Sequence, residues 1–260
     1  MKSSLTALLL LPLLLVACNA AKGTPTPASD VSTTPESIAS EDPTVTSAPP
    51  AIVTFPTEDD IELSGTLFGS GDVAVILAHQ GTPGADQTTW QPFARLLAER
   101  GYTALTFDFR GVGQSEGVLR YGDLGMDVEA AIQFLGDRGY SQIVCAGASM
   151  GGTACIQAAL SNDLRGLIVL ASTMRAGSGT NSLRINDADL ANLVLPKLFI
   201  TAEGDFHSVV NDTKRMVELS PDPKTLLLLP GTQHGTRLFN TEVGQELTTA
   251  LLEFLEGLQE

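Results

Sequence analysis

Beyond residue 50, short uncharged apolar runs alternate with longer stretches in which apolar residues recur every three or four positions. The runs, such as Val73 to Ala78, predict buried strands, and the stripes, such as Trp90, Phe93 and Leu97, predict helices with one buried face. The predicted strands are 52–55, 61–68, 73–78, 103–109, 142–148, 167–171, 197–202 and 225–229, and the predicted helices lie within 90–100, 124–135, 150–160, 209–219 and 243–258. The first two strands favour an antiparallel pair. The strand–helix alternation after them indicates an α/β fold with a mostly parallel sheet and helices on both faces.

The first 50 residues have a different composition. Residues 1–17 carry Lys2 and then an apolar run, which is typical of a signal peptide. Leu15-Val16-Ala17-Cys18 resembles the lipobox of bacterial lipoproteins, which implies cleavage before Cys18, its lipidation and an extracytoplasmic, membrane-anchored location. The alternative is an ordinary signal peptide with an incidental cysteine. Residues 19–50 are rich in Ser, Thr, Pro and Ala and predict a disordered tether, so that 18–50 precede a folded domain over 51–260.

Charge and cysteine content narrow the function classes. The chain has 15 basic and 30 acidic residues, a net charge of −15, which argues against nucleic acid and against electrostatic docking on anionic lipid. Cys145 falls in a predicted strand and Cys155 in the following helix. Such layers pack on the order of 10 Å apart, whereas bridged Cα atoms lie within about 7 Å, so we expect no disulfide. No Cys/His cluster has metal-ligand spacing, and neither a metal nor another cofactor is expected.

The segment Gly147-Ala148-Ser149-Met150-Gly151 lies between a predicted strand and a predicted helix. It matches G-x-S-x-G in the strand–turn–helix context in which that pattern exposes a serine hydroxyl. Glycine is needed at both flanks because side chains there would collide in so tight a turn. The helix that follows favours negative charge at its N-terminus. Alone, the pattern also fits a glycine-rich turn without chemistry.

Three further polar segments follow predicted strands, and parallel strands bring their carboxyl ends to one edge of a sheet. They are His79-Gln80-Gly81, Glu203-Gly204-Asp205 and Gln233-His234-Gly235. With the serine turn, and with the D-x-R-G-x-G-x-S segment over 108–115, the chain resembles the α/β-hydrolase superfamily over residues 51–260. One departure is Gln80, which stands where that superfamily usually has glycine after the histidine.

The resemblance implies a role for each residue. Ser149 is the nucleophile, His234 the base that takes its proton, and Asp205 the acid that orients the imidazole. Backbone N–H groups of Met150 and of Gly81 or Gln80 are the oxyanion donors. Other readings give Glu203 as the acid or His207 as the base. His79, Asp108 and Arg110 are interpreted as groups that brace loops.

The resemblance implies hydrolysis of a small-molecule ester through an acyl-enzyme. The segment 172–196, where a cap is usually inserted, has few bulky apolar residues and predicts at most one short helix. So thin a cap favours short acyl groups. A peptidase or amidase, or a cofactor-free haloperoxidase-like activity, is compatible with the same residues. A binding module that has lost catalysis is the alternative from another class.

Overall fold

The computed structural model describes residues 49–259, without the side chain of His207. The predicted signal peptide, Cys18 and the tether up to residue 48 lie outside the described residues. Within 49–259, none of the helices combines the length and apolar content that crossing a membrane requires.

The described chain contains ten strands and six α-helices. The strands are β1 Ala51–Pro56, β2 Glu62–Phe68, β3 Val73–Ala78, β4 Thr103–Phe107, β5 Gln142–Ala148, β6 Gly166–Leu170, β7 Arg175–Ser178, β8 Asn181–Arg184, β9 Lys197–Ala202 and β10 Lys224–Leu229. The helices are α1 Gln91–Glu99, α2 Leu124–Gly136, α3 Met150–Ala159, α4 Asp187–Ala191, α5 His207–Leu219 and α6 Gly244–Gly257. Three short 3₁₀ turns, Gln87–Thr89, Tyr121–Asp123 and Gly235–Asn240, complete the secondary structure.

Eight of the strands form one sheet in the order β1-β2-β4-β3-β5-β6-β9-β10. β1 pairs antiparallel with β2, and β2 pairs antiparallel with β4. From β4 through β3, β5, β6 and β9 to β10 every pairing is parallel. This arrangement confirms the predicted α/β-hydrolase fold class, and it puts the carboxyl ends of β3, β5, β9 and β10 on one edge.

Both faces of the sheet are covered, as the side-chain alternation of β3 shows. Ala74, Ile76 and Ala78 pack into the core on one face, where α2 and α3 contribute, whereas Val75 and Leu77 pack with α1 and α6 on the other. All five of these side chains are fully buried. Burial on both faces explains why the strand has an uninterrupted apolar run rather than an alternating pattern.

The cap segment differs from its prediction. A short helix is present as α4, but β7 and β8 precede it as an antiparallel hairpin that the sequence did not predict. Its four-residue strands carry one buried residue each, Ala176 and Leu183, so they lack a strong hydrophobic pattern. The hairpin packs on the turn that contains Tyr121, since a Cβ at Gly177 would lie 2.6 Å from the Tyr121 side chain.

The prediction that Cys145 and Cys155 remain unpaired is wrong. The two residues form a disulfide, with their Cα atoms 5.8 Å apart. The usual spacing between a helix and a sheet does not hold here, because Gly147 lies directly against the backbone of Gly151 and Gly152. Without side chains in between, α3 approaches its own strand closely enough for a bridge.

Candidate active site

Ser149 lies on a sharp turn between β5 and α3. Its backbone has φ 52° and ψ −117°, a conformation that residues other than glycine rarely adopt. Its N–H donates to the Leu170 carbonyl at 2.8 Å, which anchors the turn to β6. A Cβ at Gly151 would lie 2.6 Å from the His79 carbonyl oxygen, so glycine lets the turn approach the end of β3. The turn therefore presents Ser149 immediately before the first residue of α3, beside the loop after β3.

Asp205 and His234 form a hydrogen-bonded pair at the same edge. The imidazole Nδ1 lies 2.9 Å from Asp205 Oδ2 and 3.1 Å from Oδ1. The Asp205 side chain is inaccessible to solvent, and that of His234 is 12% exposed. Glu203, the other candidate acid, is exposed, whereas Asp205 is the carboxylate that His234 contacts. The His207 side chain lies outside the description.

His79 is buried and its two ring nitrogens are both occupied. Nδ1 lies 2.9 Å from the Gln80 carbonyl oxygen, and the Phe109 N–H donates to Nε2 at 3.2 Å. These contacts fit the neutral tautomer with its proton on Nδ1, and burial lowers the pKa of His79. This histidine joins the loop after β3 to the loop after β4.

Gln80 connects two loops of the site, a contact that sequence reasoning missed. Its Oε1 accepts from the Thr236 N–H at 2.8 Å and from the Thr236 hydroxyl at 3.2 Å, and its Nε2 donates to Thr82 at 3.0 Å. The residue is only 2% exposed. A Cβ at Gly235 would collide with the Gln80 carboxamide, so the glycine after His234 makes room for it. The sequence hinted at this contact only in that Gln80 replaces the glycine usual in the α/β-hydrolase superfamily. That substitution does not indicate which residue Gln80 contacts.

Of the three residues named for the oxyanion site, Gly81 and Met150 lie side by side. A Cβ at Gly81 would fall 2.7 Å from the Met150 sulfur and 3.6 Å from the Tyr121 hydroxyl. Glycine at 81 thus lets the loop after β3 pack directly against the Met150 side chain at the start of α3. This contact lies beside the N-terminus of α3, where backbone N–H groups lack helical partners and negative charge is favoured.

Asp108 and Arg110 brace the loop that follows β4. The Asp108 carboxylate accepts from the backbone N–H groups of Gln87 at 2.9 Å and Gln114 at 3.0 Å. The buried Arg110 guanidinium donates to Asp127 at 2.7 Å and to Asp59 at 2.8 Å. The hydrogen bond from Arg110 lowers the pKa of Asp59 to about 2. Among residues 49–259, neither the Asp108 nor the Arg110 side chain forms a hydrogen bond with Ser149 or His234.

The edge of the sheet combines a small set of groups that carry chemistry. Between residues 49 and 259 there is no group of three or more His, Cys, Asp or Glu side chains that could hold a metal ion. What the edge offers is a hydroxyl on a strained turn, a histidine held by a buried carboxylate, and backbone donors next to both. This set of groups suits nucleophilic catalysis by serine.

Comparisons with known proteins agree with this fold. The chain is 26% identical over 206 residues to the uncharacterized protein YfhR of Escherichia coli K12, covering 70% of this chain and 72% of the relative. The esterase Pf2001 of Pyrococcus furiosus superposes with a TM-score of 0.67 at 21% identity, over 80% of this chain and 92% of that one. A thermophilic esterase from Thermogutta terrifontis, with malate bound, gives 0.66 at 21% identity, over 81% and 100%.

Residues 72–243 match the hydrolase family described as serine aminopeptidase, S33. The match begins just before β3 and ends just before α6, so it includes Ser149, Asp205 and His234 together with the loops that carry them. The chain belongs to this family of α/β-hydrolases.

Proposed function

We propose that the chain is a serine hydrolase that cleaves carboxylic esters through an acyl-enzyme. The observation that carries this proposal is the buried Asp205–His234 pair on the sheet edge that also bears Ser149 on a strained turn. A serine hydroxyl is a weak nucleophile until a base removes its proton, and a histidine held in one tautomer by a carboxylate can do so near neutral pH.

In the acylation step, Ser149 Oγ attacks the ester carbonyl carbon while its proton passes to His234 Nε2. The resulting oxyanion is bound by backbone N–H groups of Met150 and of Gly81 or Gln80, each worth on the order of 3 kcal/mol. His234 then gives the proton to the leaving alcohol as the carbon–oxygen bond breaks. Asp205 stabilises the imidazolium during this exchange.

In the deacylation step, water replaces the alcohol and His234 takes one of its protons. The hydroxyl attacks the acyl carbon, and collapse of the second tetrahedral intermediate returns the proton to Ser149 Oγ and releases the carboxylic acid. Together the two steps consume one ester and one water and release one alcohol and one carboxylic acid, without a cofactor.

Esters of short acyl groups are the substrates that we favour. The structural neighbours from Pyrococcus furiosus and Thermogutta terrifontis are both esterases. Between β6 and β9 the chain contributes only the β7–β8 hairpin and the five-residue α4. A wall of that size buries few methylenes of a long acyl chain, each worth about 0.8 kcal/mol, so we expect kcat/KM to decline beyond roughly C6.

A peptidase or amidase is the second candidate, because the family that the chain matches is described as serine aminopeptidase. Amide hydrolysis would use the same three side chains and differ only in the leaving group. Aminoacyl p-nitroanilides compared with p-nitrophenyl esters of graded acyl length separate the two candidates. Faster turnover of the anilides would replace the ester assignment.

The core test is labelling with a fluorophosphonate probe. Wild type and Ser161→Ala, which removes a serine hydroxyl from the exposed surface, should both label, whereas Ser149→Ala should not. His234→Ala should lose about as much activity as Ser149→Ala, because members of such a triad act as a unit. An unlabelled wild-type protein would indicate the binding module, and a larger loss in His207→Ala than in His234→Ala would reassign the base.

A further inference from the structure

We propose that the Phe206 side chain forms a subsite for the leaving group and selects esters of aromatic alcohols. This inference rests on the proposed ester hydrolysis and specifies its substrate class. It starts from an anomaly of burial: Phe206 is 69% exposed although it directly follows the buried Asp205.

Phe206 differs from the other exposed apolar side chains of residues 49–259. The large ones are Ile52, Val118, Leu160, Val194 and Phe206, and only Phe206 is aromatic. Its ring packs edge-to-face on the His234 imidazole, with centroids 5.6 Å apart and planes at 61°. An exposed aromatic surface in contact with the proposed base is thus available to a bound molecule.

Hydrogen bonds fix the backbone that carries this ring. The Phe206 N–H donates to Asp205 Oδ1 at 2.7 Å. Its carbonyl accepts from Val209 at 2.9 Å and from Val210 at 3.2 Å, in the first turn of α5. A phenylalanine side chain has only two torsions, so ordering this ring on a ligand costs less conformational entropy than ordering a longer side chain.

The proton path puts the leaving group next to this ring. Because Asp205 occupies Nδ1 of His234, Nε2 is the nitrogen that protonates the departing alcohol oxygen. The alcohol must then lie against the imidazole on which Phe206 packs. An aryl or benzyl group there gains a ring–ring contact and covers apolar surface that a small alkyl alcohol leaves exposed.

The test is the ratio of kcat/KM for benzyl acetate to that for ethyl acetate, which share an acyl group and have leaving alcohols of similar basicity. Phe206→Ala should lower this ratio about five- to tenfold. Phe206→Tyr retains the ring and should keep the ratio within about twofold of wild type. Ile52→Ala removes an apolar side chain that is even more exposed, at 84%, from edge strand β1 and should leave the ratio unchanged.

Two outcomes would overturn the subsite. If Phe206→Ala lowers kcat/KM for both esters by the same factor, the ring only shields the Asp205–His234 pair from water. If Phe206→Ala changes kcat/KM for neither ester, the alcohol leaves by another route. Ser149→Ala, assayed in parallel, separates the two proposals: retained hydrolysis would overturn both, whereas loss of hydrolysis with an unchanged Phe206→Ala ratio would overturn the subsite alone.

Discussion

Ser149 occupies a backbone conformation that costs free energy, and this cost belongs to its position rather than to its hydroxyl. At φ 52° and ψ −117°, a side chain of any kind is strained by about 1–3 kcal/mol, whereas glycine is not. The Leu170 carbonyl and the close packing of Gly151 hold the residue there. Stability and activity should therefore respond differently to substitution at this residue.

We expect Ser149→Gly and Ser149→Ala to be equally inactive but unequally stable. Glycine relieves the strain and alanine does not, so the glycine variant should have the larger free energy of unfolding, by roughly 1 kcal/mol. Urea titrations of both variants and wild type measure this difference. A glycine variant less stable than the alanine variant would mean that the turn is not strained in solution.

Gln80 acts at the residue scale by holding the loop after β3 against the loop that carries His234. In Gln80→Leu, the buried Thr236 N–H loses its acceptor, which should cost about 1–3 kcal/mol of stability. We also expect kcat to fall about tenfold, because small displacements of catalytic groups are expensive.

Loss of folded protein must be separated from loss of positioning in that experiment. Rates are therefore expressed per site titrated by the fluorophosphonate probe. Gln133→Leu is the matched control, since Gln133 also donates to a side chain, Asp137, but on the exposed surface of α2. An unchanged kcat per titrated site in Gln80→Leu would limit Gln80 to a structural role.

At the scale of elements, the disulfide joins β5 to α3 across the turn that contains Ser149. It closes a loop with a sequence separation of 10, for which chain entropy gives a stabilisation of about 3 kcal/mol. Cys145→Ala/Cys155→Ala should accordingly unfold at a lower urea concentration than wild type. In the Cys18→Ala chain, denatured without reductant, a thiol reagent should detect no free thiols, and two after reduction. Two thiols before reduction would contradict the bridge.

Lys197 at the start of β9 should make stability rise with pH. It is 1% exposed and donates to the carbonyls of Pro221 and Pro223, and burial lowers its pKa from 10.5 to about 8. Between those two pH values the unfolded chain binds the extra proton, so raising the pH favours the folded state.

Relative to Lys197→Met, the free energy of unfolding of the wild type should rise between pH 8 and pH 10.5. Urea unfolding of both proteins across this pH range gives the slopes to be compared. Absolute stabilities are less informative, because methionine also leaves the Pro221 and Pro223 carbonyls without their donor. Parallel curves for the two proteins would show that the lysine titrates normally.

Sequence predicted the elements with strong local signals and missed those that depend on distant contacts. The apolar run Val73 to Ala78 is enough to predict a central strand. The turn at Ser149 is predicted by its neighbouring residues alone, because it lies between a strand and a helix. The β7–β8 hairpin has four-residue strands and one buried side chain per strand, too little pattern to detect. The Gln80–Thr236 contact spans 156 residues of sequence, and no local pattern encodes it.

At the scale of the whole molecule, the location of the protein remains a prediction from residues 1–18. Cys18→Ala should release it from the membrane fraction without loss of ester hydrolysis, because the predicted lipid anchor and tether precede the folded domain in the sequence. Fractionation followed by an activity assay measures both. A mature chain that begins at a residue other than 18 would contradict the lipobox interpretation.

Because the cystine is buried, the rate of its reduction measures how often the folded protein opens. Both cysteines are completely inaccessible in the folded state, so a reductant reaches them only during an opening that separates α3 from β5. When reclosing is fast, the rate of reduction reports the population of the opened form. Dithiothreitol should therefore reduce the native protein slowly, and a substrate analogue that binds the folded protein should slow the loss of the cystine further.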